Sequence, residues 1–153
     1  LEVLEETDGK VIIWAVYRYD IQEIERTLGE KYGKESVATY YGDTKDSIRQ
    51  SIVDRFMDAD DPLRFFVGNP KTGGYGLTLT SSHTVVYYSN DYSLEVRLQS
   101  EDRAHRIGQT SKVTYVDLMA DHTIDEKIVK ALNAKIDLAS QVMGEDPKKI
   151  LFG

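Results

Sequence analysis

The sequence has no cysteine, three prolines, three histidines and one tryptophan in 153 residues. Without cysteine there can be no disulfide framework and no thiolate-bound metal, and the chain suits a reducing cytosol. No second histidine or carboxylate cluster accompanies His105, so it reads as a packing or hydrogen-bonding residue, and His83 and His122 suggest no metal either. No apolar run approaches the ~18 residues that a membrane span needs, so no membrane partner is expected. Positive charge is also short. Nineteen Lys and Arg against 26 Asp and Glu leave a net charge of −7. That excludes a wholly basic nucleic-acid binder but leaves room for a local basic track, because only the contacting face must be positive.

What is present is alternation. Val11 to Tyr17 is a continuous apolar run, as expected of a strand covered on both faces. Val37–Tyr41, Phe65–Val67, Thr84–Ser89 and Val113–Met119 read as four more strands. Between them lie amphipathic stretches. Asp20 stands as N-cap of the first, with Glu23 three residues on as in a capping box, and Gly33 follows its end. Thr44 caps a second, with Ile48, Ile52 and Phe56 at i+4 spacing, and Asp60-Asp61-Pro62 stops it. Ser93 caps a third. Ile124, Ile128, Leu132, Ile136, Ala139 and Met143 stripe a last helix ending at Gly144. Strands alternating with helices predict an α/β fold of three layers, a mostly parallel central sheet with helices on both faces. Residues 1–8 read as the end of a truncated upstream helix, 9–144 as the domain and 145–153 as a tail, so that the chain is expected to be part of something longer.

In such a sheet, ligands bind at the loops beyond the carboxyl ends of the strands. Here those loops are Arg18-Tyr19, Gly42–Thr44, Asn69–Gly76 and Asn90–Ser93. The stretch from Gly68 to Gly76 (GNPKTGGYG) has the G-x-x-x-x-G of a phosphate loop, but Gly74-Tyr75 stand where Lys-Ser/Thr should follow. Asp125-Glu126 is the only Asp-Glu pair, and it opens a helix instead of ending a strand. Both halves of a nucleotide triphosphatase core are therefore missing, and the chain alone should not hydrolyse ATP. The glycines do allow backbone N–H groups to approach an anion, with Lys71 and Thr72 beside them. A tight strand-to-helix turn would account for them equally well.

The other stretch of note is QSEDRAHRIGQT, from Gln99 to Thr110. On a helix, Gln99, Arg103 and Arg106 share one stripe, and two guanidinium groups side by side call for an anion. Surface salt bridging is the plainer account, since Asp102 and Arg106 form a favourable i,i+4 pair worth only ~0.2–0.5 kcal/mol.

Taken together these segments resemble the second RecA-like lobe of superfamily-two helicases, in particular the Swi/Snf-like DNA translocases. QSEDRAHRIGQ is similar to that family's motif VI, KTGGYGLTLTSSHTVVYY to its motif V, and YYGDTKDSIRQSIVDRF to its G-x-[ST]…R-x-x-x-[IV]-x-x-F segment, through Gly42, Thr44, Arg49, Ile52 and Phe56. TIDEKIVKALNAKIDLASQVMG looks like the helix that closes the lobe. The resemblance implies ATP with magnesium, held mainly by an N-terminal RecA-like lobe of the same protein that carries the phosphate-loop lysine and the metal carboxylates. It further implies that Arg103 and Arg106 are arginine fingers for the γ-phosphate, with Gln99 placing it or the attacking water. Gly74 and Gly76 would lie near the nucleotide. Lys71, Thr72, Gly73, Arg18 and Thr44 would face double-stranded DNA through backbone contacts that read little sequence.

The chain departs from the family pattern at two places. Asn69-Pro70 replace small hydroxyl residues, and Asn90-Asp91-Tyr92-Ser93-Leu94 replace Asp-x-Trp-Asn-Pro. It also lacks large insertions, which suits a compact bacterial or phage enzyme in the cytosol, with the nucleus as the compartment in a eukaryote. Two alternatives stand beside the motor lobe: a non-catalytic RecA-like module that binds nucleic acid or protein, and a free-standing doubly wound domain that binds a small nucleotide.

Overall fold

A computed structural model describes residues 2–72, 77–90, 93–104, 112–118 and 124–143. Its strands are β1 (Val11–Trp14), β2 (Val37–Tyr40), β3 (Phe65–Gly68), β4 (Thr84–Tyr87) and β5 (Thr114–Asp117). Its helices are α1 (Glu2–Glu5), α2 (Arg18–Tyr32), α3 (Asp46–Met57), α4 (Leu94–Ala104) and α5 (Ile124–Met143), with a 3-10 turn at Lys34–Ser36 before β2. The five strands form one sheet in the order β2-β3-β1-β4-β5, and every pairing is parallel. The first strand in the chain is thus the central one. Val11 stands opposite Phe65 on one side and Thr84 on the other.

Alternation along the strands divides the core in two. Ile12, Trp14, Phe66, Val85 and Tyr87 point to one face, where Ile52 and Phe56 of α3 and Ala104 of α4 cover them. Val11, Ile13, Phe65, Val67 and Val86 point to the other, under Ile21 and Leu28 of α2 and Leu4 of α1. This is why β1 and β3 are buried along their whole length: a strand with helices on both faces has no polar side to show water. Full burial of each large apolar side chain contributes roughly 1.5–3 kcal/mol. On α5, Ile128, Val129 and Leu132 are buried.

The boundaries differ from the sequence expectations in instructive ways. The first long helix starts at Arg18, with Tyr17 as its N-cap and no side-chain cap bond, so Asp20 sits in the first turn. There its charge favours the positive end of the helix dipole. At the other end Gly33, at φ +97°, donates its N–H to the Gly29 carbonyl at 3.0 Å, a termination that suits glycine. Helix α3 begins at Asp46 after Lys45, not after Thr44. Of the three apolar residues in its expected stripe, Ile52 and Phe56 are buried while Ile48 is exposed. Strict i+4 spacing advances about 40° round the helix at each step, so the stripe walks off the core-facing side.

Candidate functional site

The chain leaves β1 through α2 on one face and β4 through α4 on the other. Neighbouring strands whose connections part in this way open a crevice at their carboxyl ends. Short hydrogen bonds cross it among the described residues. Val16 N–H donates to Ser89 Oγ at 2.8 Å, and Asn69 Nδ2 donates to the Val16 carbonyl at 3.0 Å. The cavity left between Pro70, Ser89, Ser93 and Arg97 measures about 10 Å³. That is room for at most one water. A groove of about 780 Å³ on the α2 side, between Ile24, Leu28, Val86 and Leu118, contains none of the sequence-predicted site residues.

Helix α4 carries Gln99 and Arg103. Its first turn is fixed by Ser93, whose Oγ accepts from the Val96 amide at 3.3 Å, as the capping expectation required. Gln99 is half-buried and donates through Nε2 to Glu95 at 3.3 Å. Arg103 is only 5% exposed. Its carbonyl accepts from the Leu79 amide at 2.9 Å, which joins the exit of the glycine-rich segment to the end of α4. Two motifs more than twenty residues apart in the chain thus meet. Gly73, Gly74, Gly76 and Arg106 lie outside the described residues.

The remaining candidates lie outside α4. Lys71 is exposed, and its amide donates to Asn69 Oδ1 at 2.9 Å, while Thr72 N–H donates to the Asn69 carbonyl at 3.1 Å. Asn69 therefore builds the turn that presents Lys71, a role a short hydroxyl would fill less completely. Arg18 is exposed at the start of α2 and pairs with Asp43 of the loop after β2. Thr44 is turned inward: its hydroxyl accepts from the Tyr41 amide at 3.0 Å and donates to the Thr39 carbonyl at 3.1 Å. It shapes that loop from within.

Sequence reasoning passed over one polar cluster. Arg97, 9% exposed, lies with its guanidinium carbon 3.5 Å from the centre of the Tyr87 ring. Nη1 donates to Asp117 Oδ1 at 2.6 Å and to Asn90 Oδ1 at 2.7 Å, Nη2 to Asp117 Oδ2 at 3.0 Å, and Nε to Glu101 at 3.0 Å. Ser100 Oγ donates to the Arg97 carbonyl, so the Tyr87 hydroxyl 2.7 Å away must donate to Ser100. Burial pushes the Tyr87 phenol well above its usual pKa and keeps that proton in place. Burial also acts to raise the Asp117 pKa, but the bonds and charge of Arg97 outweigh it and hold the carboxyl below its ordinary value. Two signals were available in the sequence: the Arg97–Glu101 spacing of four, and an aspartate inside the otherwise uncharged strand VTYVDLM.

Among the described residues no three His, Asp or Glu side chains converge on one point. No helix among them is long and apolar enough to cross a membrane.

A profile of the family described as helicase conserved C-terminal domain matches residues 1–108. The chain is 32% identical over 152 residues to the ATP-dependent helicase fft2 of Schizosaccharomyces pombe, covering 98% of this chain and 12% of that protein. It is 36% identical over 104 residues to helicase SWR1 of Saccharomyces cerevisiae, covering 68% of this chain and 7% of that protein. Among solved structures, the C-terminal part of the Fun30 ATPase domain superposes with a TM-score of 0.72 at 26% identity, over 86% of this chain and 41% of the other. The chain therefore spans a small part of the curated relatives it matches.

Proposed function

This chain belongs to the helicase conserved C-terminal domain family, as a RecA-like lobe of the Swi/Snf type, and from that premise we propose that it is the second motor lobe of an ATP-dependent DNA translocase or helicase. ATP with its magnesium sits between this lobe and an N-terminal RecA-like lobe of the same protein, which supplies the phosphate-loop lysine and the metal carboxylates. Gly74 and Gly76 border the nucleotide. Arg103 and Arg106 meet the γ-phosphate, where charge develops during transfer, and Gln99 helps to place it or the attacking water. Lys71, Thr72 and Gly73 face the backbone of duplex DNA, with Arg18 and the loop shaped by Thr44 beside them. Phosphate contacts of this kind position the motor and read little sequence. In a eukaryotic cell such a motor works in the nucleus, and in a bacterial or phage-infected one in the cytosol.

The observation that supports this reading best is the bond from Leu79 N–H to the Arg103 carbonyl. It couples the segment expected to touch both nucleic acid and nucleotide to the helix expected to carry the fingers. A finger is worth ~10³–10⁵ in rate, or roughly 4–7 kcal/mol. The test is ATPase turnover of the full-length protein with and without duplex DNA, as wild type, Arg103→Ala and Arg106→Ala. Turnover should be stimulated by DNA and fall by about three orders of magnitude or more in each variant. Folded variants that keep wild-type turnover would sink the finger assignment. A wild type without DNA-stimulated turnover would return the non-catalytic binding module.

A further inference from the structure

We infer that Arg97 and Asp117 are positioning residues that set the rotation and height of α4, and through it the placement of the groups on Gln99 and Arg103; this rests on the motor reading above. Four of the five guanidinium N–H groups of Arg97 have named acceptors, on the loop after β4 (Asn90), on β5 (Asp117) and on the next turn of its own helix (Glu101). The flat face of the guanidinium lies on Tyr87 at the end of β4. A planar fork held along two edges and one face leaves its helix little freedom to roll or slide. Lysine has one ammonium and no plane, so it cannot reproduce this hold.

The leverage is short. Gln99 lies two residues beyond Arg97 and Arg103 six, so each is within two turns of the anchor. The opposite end of α4 is tied by the Leu79 amide to the Arg103 carbonyl, by the Tyr115 hydroxyl to the Glu101 carbonyl at 3.1 Å, and by the packing of Ala104. Misplacing a catalytic group by about 1 Å can cost on the order of 10²-fold in rate. A small roll of α4 would therefore reach the reaction without removing any group that touches ATP or DNA.

The experiment is steady-state ATPase of the full-length protein with saturating duplex DNA, for wild type, Arg97→Met, Arg97→Lys and Asp117→Asn, together with melting temperature and DNA affinity. Leu28→Ala, in the core on the opposite face of the sheet, serves as the control for lost stability alone. The expected result is a kcat lowered by roughly 10- to 100-fold in Arg97→Met and Arg97→Lys and less in Asp117→Asn. KM for ATP and DNA affinity should stay within about threefold, and Leu28→Ala should keep kcat despite its lower melting temperature. If kcat in the Arg97 variants follows melting temperature as Leu28→Ala does, or if Arg97→Lys matches wild type, the inference is overturned while the motor reading stands. Should Arg97→Met fail to fold, the other two variants decide, and failure of all three makes the pair a folding requirement and overturns it. A wild type without DNA-stimulated turnover overturns the motor reading and this inference with it.

Discussion

The amide of Leu79 donates to the carbonyl of Arg103 at 2.9 Å, and the Leu79 side chain is fully buried against the α3–α4 face of the sheet. One residue thus fixes the exit of the glycine-rich segment by both backbone and side chain. Leu79→Ala should cost about 2–5 kcal/mol through the cavity it leaves. Urea unfolding of the chain, followed by circular dichroism, would measure it. A cost under about 1 kcal/mol would mean that the segment is not anchored there.

Gly68 at the end of β3 has no room for a side chain. A Cβ built on it would stand 2.8 Å from the Tyr40 carbonyl oxygen and 3.1 Å from the Trp14 ring. The first neighbour is backbone of the adjacent strand and cannot swing aside. Gly68→Ala should therefore destabilise by roughly 1–3 kcal/mol, seen as a melting temperature lower by several degrees.

The pH response of the Arg97–Asp117 pair has a definite sign. The folded pKa of Asp117 lies below its unfolded value, burial notwithstanding, because Arg97 holds the charged form. Its contribution to stability is complete above the unfolded value near pH 4 and is lost as pH falls through the folded value. The stability gap between wild type and Asp117→Asn should accordingly be wide at pH 7 and narrow towards pH 3. A gap that is constant across that range would show the carboxylate to be energetically silent.

Salt dependence tests the basic contacts proposed with DNA. Neutralising a lysine or arginine that meets a phosphate lowers the slope of log affinity against log salt by about 1. Lys71→Ala should do this. Arg18 is paired with Asp43, so Asp43→Asn should strengthen binding by releasing the guanidinium, and Arg18→Ala should weaken it. Filter binding or fluorescence anisotropy with duplex DNA of unrelated sequences would report both effects.

The order of elements was legible because each strand is a short apolar run between turn residues and each helix repeats its apolar residues near 3.6. All five expected strands and the four expected long helices are present, with ends shifted by a few residues. The shifts fall where a polar side chain could satisfy either a helix end or a turn, as Thr44 does by bonding Tyr41 and Thr39 instead of capping α3. The candidate site was legible through motifs, which placed Gln99 and Arg103 on one helix and Lys71 on a turn. Local spacing could not show which residues Arg97 bonds beyond its own helix. Its partners Asn90 and Asp117 come from other elements, and only the folded sheet brings them within hydrogen-bond distance.

The central place of β1 has a consequence for how the chain must fold. Val11–Trp14 is made first, yet its two neighbours, β3 and β4, arrive only with Phe65–Gly68 and Thr84–Tyr87. Until Tyr87 has left the ribosome, this apolar strand has no native partner along one edge. Long-range parallel pairing of this kind is slow to close, and open apolar edges invite association between chains. Synthesis that stops before β4 should thus yield an aggregating product, because the helices made by then, α1 and α2 over Val11 and Ile13 and α3 over Ile12 and Trp14, cover the faces of the strand and leave its β4 edge open.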